Sequence, residues 1–113
     1  MPFAFVTFAS VRAAVAAAIR VNQLVAERNV KPVEEDPIEV AIGIGFGPIL
    51  LADHDFFGDE VNLASKLGED IAGHGEVLLT LAARSVLQGG EFKFRPLDMK
   101  ISGVALRASR LVY

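Results

Sequence analysis

The sequence predicts an α+β fold, a mainly antiparallel sheet with helices packed on one side. Three observations point there: a long alanine-rich stretch with apolar residues at helical spacing, a switch to period two from Ile38, and short strand-like runs separated by glycine and proline turns. A chain of 113 residues holds one domain with a real core and little room for insertions.

From the N-terminus, Met1-Pro-Phe-Ala-Phe-Val6 is apolar and reads as a strand. It lacks the basic leader and continuous apolar stretch of a signal peptide or membrane span. Ala9 to Arg28 reads as a helix with Val11, Val15, Ala18 and Val25 toward the core, Ser10 as N-cap and Asn29 as stop. Its polar residues Arg12, Arg20, Gln23 and Glu27 are mixed in charge, which argues against a membrane-surface helix. Lys31 to Pro37, with two prolines and an acidic patch, reads as a surface loop.

Ile38, Val40, Ile42, Ile44 and Phe46 then share one face of a strand, and Ala41, Gly43, Gly45 and Gly47 the other. Bare glycine on one face means that something lies close: a ligand, a neighbouring helix or a partner chain. The spacing is not a dinucleotide fingerprint, because Pro48-Ile-Leu-Leu51 follows as a second strand where that motif needs a helix. Beyond Gly58 a helix turns Leu63, Leu67 and Ile71 to the core. Ala72-Gly-His-Gly75 reads as a turn, Glu76 to Thr80 as a buried strand, and Leu81 to Leu87 as a short helix ended by Gln88-Gly-Gly90. Two last strands follow, Glu91 to Arg95 with Phe92 and Phe94 inward, and Val104 to Tyr113 beyond a turn at Ser102-Gly103.

Composition narrows the function classes. A net charge of -3 with no basic cluster gives no footprint for nucleic acid. With no cysteine there is no disulfide, thiolate metal site or thiol nucleophile, and a cytoplasmic location is the expectation. Asp53-His54-Asp55 has metal-ligand residue types, but three consecutive residues point in alternating directions, which argues against joint ligation. His74 sits in a glycine turn and is expected to be solvated, and no serine lies in a nucleophile-elbow context.

The chemistry concentrates in Asp55-Phe-Phe-Gly-Asp-Glu-Val-Asn-Leu-Ala-Ser-Lys-Leu-Gly-Glu-Asp70. Asn62 and Lys66, four apart, lie one above the other on a helix, so an amide and an ammonium face the same ligand, as a phosphate ester requires. The same run also suits a plain amphipathic helix on which Lys66 pairs with Glu60, Glu69 or Asp70.

The pattern Asp55-x-x-Gly58-x-x-Val61-Asn62-x-Ala64-Ser65-Lys66-Leu67 resembles the signature of the class III nucleotidyl cyclase (adenylate/guanylate cyclase) catalytic homology domain. The resemblance extends to Val11-Arg-Ala-Ala-Val15 as the preceding helix, Val40-Ala-Ile-Gly-Ile-Gly-Phe-Gly-Pro-Ile49 as the glycine-punctuated strand and Gly75-Glu-Val-Leu-Leu-Thr80 as the next one, from about Phe3 to the C-terminus.

It implies a ferredoxin-like nucleotide cyclase fold and the conversion of ATP, or GTP, to a 3′,5′-cyclic nucleotide for intracellular signalling, with paired Mg²⁺ or Mn²⁺ and a site shared with a second cyclase protomer. By this resemblance Asp55 reads the base and favours adenine, Asn62 orients the ribose, and Lys66 takes the place of a transition-state arginine. Lysine keeps the charge but loses the planar fork.

Aligned in this way, Met1-Pro2 falls where the family carries its second metal aspartate, and the first strand, following helices and second strand lie before Met1. The expectation is therefore a partial domain over residues 1–113 with no metal site, inactive alone, whose incomplete sheet leaves unpaired backbone and a gap. Lys100 and Arg107 are further candidates to approach a triphosphate, while Val104 stands near a position where the family often has a basic contact. Two other readings stay open: a non-catalytic nucleotide-binding regulatory or dimerisation module, and a stand-alone interaction domain that uses the glycine face as a protein contact.

Overall fold

The computed structural model describes residues 3–30, 37–101 and 103–113. The Lys31–Pro37 loop, apart from exposed Pro37, and the expected roles of Met1-Pro2 and Ser102 lie outside the described residues.

Ser10 starts α1 (Val11–Val30), its hydroxyl accepting from the Ala13 N–H at 3.1 Å. The expected strand before it does not form: residues 3–8 pair with no other strand. The glycine-punctuated segment is strand over β1 (Ile42–Ile44) alone, and β2 (Leu50–Ala52) and β3 (Asp55–Phe57) make a separate hairpin. Then come α2 (Asp59–Lys66), which widens into a π turn over Leu67–Ile71, β4 (Val77–Thr80), α3 (Leu81–Ser85), β5 (Lys93–Ile101) and β6 (Val104–Val112).

The main sheet runs β1-β4-β6-β5, with β1 parallel to β4 and the other two pairings antiparallel. This is the expected α+β, mainly antiparallel class, but helices cover both faces instead of one. Alternation along fully buried β4 shows why. Val77 and Leu79 pack with Val11, Val15 and Ala18 of α1 and with Ala83 of α3, whereas Leu78 turns to the other face and meets Leu67 of the π turn.

Polar contacts close the margins. Arg12 and Glu91 form a two-point ion pair at 2.7 Å. The buried Asn22 amide donates to the Gly75 carbonyl and the Tyr113 hydroxyl, and Tyr113 donates to the same carbonyl. Glu76 accepts from the Gly73 N–H at 2.6 Å and from Arg110 at 3.2 Å, and these bonds, the backbone one first, hold its carboxyl below the usual carboxylate range. His74 is exposed but not merely solvated, since its Nδ1 accepts from the Val40 N–H.

Candidate functional site

The bare face of β1 is occupied by α2. A Cβ on Gly43 would run into the carbonyl oxygen of Ala64 and come within 2.8 Å of the Gly68 nitrogen; one on Gly45 would lie 2.8 Å from the Glu60 carbonyl oxygen. Of the three occupants the sequence allowed, the neighbouring helix is the one present, so this face is not a free protein contact. Small residues let the α2 backbone rest on the strand, which fixes the height of everything α2 carries.

The start of α2 is fixed as well. Gly58 has φ of 152°, a backbone conformation that glycine adopts without strain, and its carbonyl accepts the Asn62 N–H at 3.1 Å. The Glu60 carboxylate, which the sequence offered only as a pairing partner for Lys66, turns the other way. Its Oε1 accepts from the Phe46 N–H at 3.0 Å and from the Thr80 hydroxyl at 2.6 Å. Thr80 in turn caps α3 by accepting the Ala83 N–H. Glu60 thereby ties α2 to the exit of β1 and to the β4–α3 junction. The only sequence signal for this was an acid in the first helical turn.

Asn62 and Lys66 lie one turn apart on α2, both exposed, and among the described residues neither side chain has a hydrogen-bonding or ionic partner. The intrahelical pairing suggested for Lys66 does not form; Glu69 instead accepts from Ser65 at 3.2 Å. Asp55 opens β3, directly after Asp53 and His54, which make the hairpin turn with φ of 52° and 63°. Its Oδ1 accepts the neighbouring Phe56 N–H and its side chain is exposed.

The side chains of Asp55, Asn62 and Lys66 are all exposed. An open depression of about 730 Å³ lies between the hairpin and the start of α2, and a groove of about 410 Å³ lies between α1 and α2; neither is lined by Asp55, Asn62 or Lys66. Lys100 and Arg107 sit on the long β5–β6 hairpin, Arg107 facing Asp98 at 3.7 Å with both side chains exposed. Among the described residues no three His, Asp or Glu side chains are grouped so that they could hold a metal ion. No described helix is long and apolar enough to cross a membrane.

The adenylate and guanylate cyclase catalytic domain family matches residues 6–109, almost the full length. The chain belongs to that family. Among solved structures, this cyclase domain is similar to an adenylate/guanylate cyclase/hydrolase from Silicibacter pomeroyi, with TM-score 0.76 and 28% identity over 94% of this chain and 64% of that one. It also shares its fold with the catalytic core of a rhodopsin-guanylyl cyclase of converted specificity, bound to ATPαS, with TM-score 0.73 and 23% identity over 89% of this chain and 56% of that one. The domain thus spans under two thirds of each. A search of curated proteins found no match.

Proposed function

We propose that this chain supplies the nucleotide-orienting half of a class III cyclase site and acts on ATP only when paired with a second cyclase protomer. In the reaction the ribose 3′-oxygen bonds to the α-phosphorus, the bond from that phosphorus to the bridging oxygen breaks, pyrophosphate leaves, and the 3′-hydroxyl proton passes to solvent. Asp55 accepts a hydrogen bond from the adenine amino group, Asn62 holds the ribose so that its 3′-oxygen faces phosphorus, and Lys66 offsets charge growing on the phosphate oxygens. The Mg²⁺ or Mn²⁺ used by the family would belong to the partner protomer.

The observation that carries this reading is the pair Asn62 and Lys66, exposed and without an intrachain partner, on a helix whose own position is fixed by Gly43, Gly45 and Glu60. Side chains left free on a fixed element suit a ligand shared with another chain. The test is cyclic AMP formation from Mn²⁺-ATP by this chain mixed with a protomer that has metal aspartates but a disabled Asn/Arg helix. Product should appear in the mixture, in neither component alone, and not with Asn62→Ala. No product at any ratio refutes the proposal.

Lys66 favours a second reading. As a point charge it can hold a phosphate without following the geometry of a transferring phosphoryl group. ATP binding without product would favour a nucleotide-binding regulatory or dimerisation module in the cytoplasm.

A further inference from the structure

The turn from Ala72 to Glu76 is where the approach to β1, α1 and the end of β6 meet. The Gly75 N–H donates to the Val40 carbonyl at 2.8 Å, and the Gly75 carbonyl accepts from Asn22 and Tyr113. The N–H of Val40 donates to Nδ1 of His74 at 3.0 Å. The next bond along the strand runs from the Ile42 N–H to the Glu76 carbonyl at 3.1 Å. An imidazole thus does the work of a backbone acceptor where the strand that seats α2 enters the sheet.

That bond exists in one protonation state only. Nδ1 accepts through its lone pair, so the ring must be neutral with its proton on Nε2; a proton on Nδ1 leaves two donors facing each other. His74 is exposed, so protons reach it without unfolding. The charged and titratable groups around the turn are Glu39 beside Val40, Arg28 beside the Asn29 that bonds Ile38, Glu69 and Asp70 on the π turn, the Glu76–Arg110 pair and the Tyr113 hydroxyl. Among these side-chain types and imidazole, only imidazole ordinarily changes charge between about pH 8 and 5. Glu76, held below the usual carboxylate range by the Gly73 N–H and by Arg110, stays ionised throughout.

We propose that His74 is a pH-sensitive latch: neutral, it holds Val40 at the entry of β1, and protonated, it lets that entry go. The latch stands on hydrogen bonds within this chain and is independent of nucleotide binding.

Amide hydrogen exchange of the whole chain, followed by NMR and corrected for intrinsic chemistry, reads it directly. Between about pH 7.5 and about pH 5 the protection of the Val40 amide should fall about fivefold, as the loss of one ordinary hydrogen bond implies, while Leu79 in buried β4 keeps its protection. His74→Asn removes the titrating group and should show the same Val40 protection at both pH values. His54→Asn, which removes the only other histidine from the hairpin turn, should behave as the parent does. Imidazole nitrogen shifts at the higher pH should place the His74 proton on Nε2. The proposal is overturned if Val40 protection changes by less than about twofold, against the fivefold expected, or if Leu79 falls with it. It is also overturned if His74→Asn shows the parent's fall, if His54→Asn abolishes that fall, or if the neutral His74 ring carries its proton on Nδ1.

Discussion

Replacing Gly43 with alanine tests whether α2 is held by backbone contact. The added methyl would meet the Ala64 carbonyl and, within 2.8 Å, the Gly68 nitrogen. Both are main-chain atoms of α2 or its π turn, so no rotamer change relieves the clash and the helix itself must move. Overpacking of this kind costs ~1–3 kcal/mol, and backbone obstruction places Gly43→Ala at about 3 kcal/mol. Against a domain stability of ~5–15 kcal/mol this is a large fraction, and it should lower Tm by roughly 10 °C or more. The control is Gly89→Ala, where φ is 86° and nothing lies within 4 Å of the new methyl; it carries only the left-handed strain of ~1 kcal/mol. Thermal unfolding followed by circular dichroism reads both. If the two variants melt within about 2 °C of each other, α2 does not rest on the glycine face and the account of its position fails. Because a displacement of ~1 Å in a reacting group costs on the order of a hundredfold in rate, Gly43→Ala should also lose more activity in the paired cyclase assay than its stability loss explains.

Lys66→Arg should raise cyclic AMP formation in the paired assay about tenfold, ~1.4 kcal/mol of transition-state stabilisation, because the guanidinium fork contacts two phosphate oxygens at once; an unchanged kcat would argue against contact with the phosphates. Tyr113→Phe removes the hydroxyl shared by Asn22 and Gly75 and should cost about 1 kcal/mol in urea unfolding, with no effect on nucleotide affinity. The lowered folded-state pKa of Glu76 means that its contribution is present above the ordinary carboxyl value of 4.5 and disappears as pH falls through the lower folded value. A melting series across that window should show Glu76→Gln with a smaller acid-side loss of stability than the parent, and parallel curves would refute this assignment.

Much of this architecture was legible because its cause is local. Val11, Val15 and Ala18 repeat with the helix period, and the buried run from Val77 to Leu79 reads as a strand from composition alone. The N-terminal stretch failed for the opposite reason: its residues have strand propensity, but a strand needs a neighbour and no described strand pairs with it. β3 escaped because its turn uses Asp53 and His54 in left-handed conformations that sequence normally reserves for glycine or asparagine. Of the candidate site, Asn62 and Lys66 were visible from spacing and resemblance, while Glu60 was not, since both of its hydrogen-bond donors come from distant parts of the chain. The glycine face announced that something lay against it, but only the packing identifies α2 as that neighbour.

The parallel pairing of β1 with β4 has a kinetic consequence. β5 and β6 are separated by only two residues and can zip together early, whereas β1 meets β4 only after the hairpin and all of α2 have been looped out between them. The helix carrying Asn62 and Lys66 is therefore among the last parts to reach its final place during folding. Until that loop closes, a newly made chain has a hairpin and much of its hydrophobic interior, but α2 is not yet seated on the sheet.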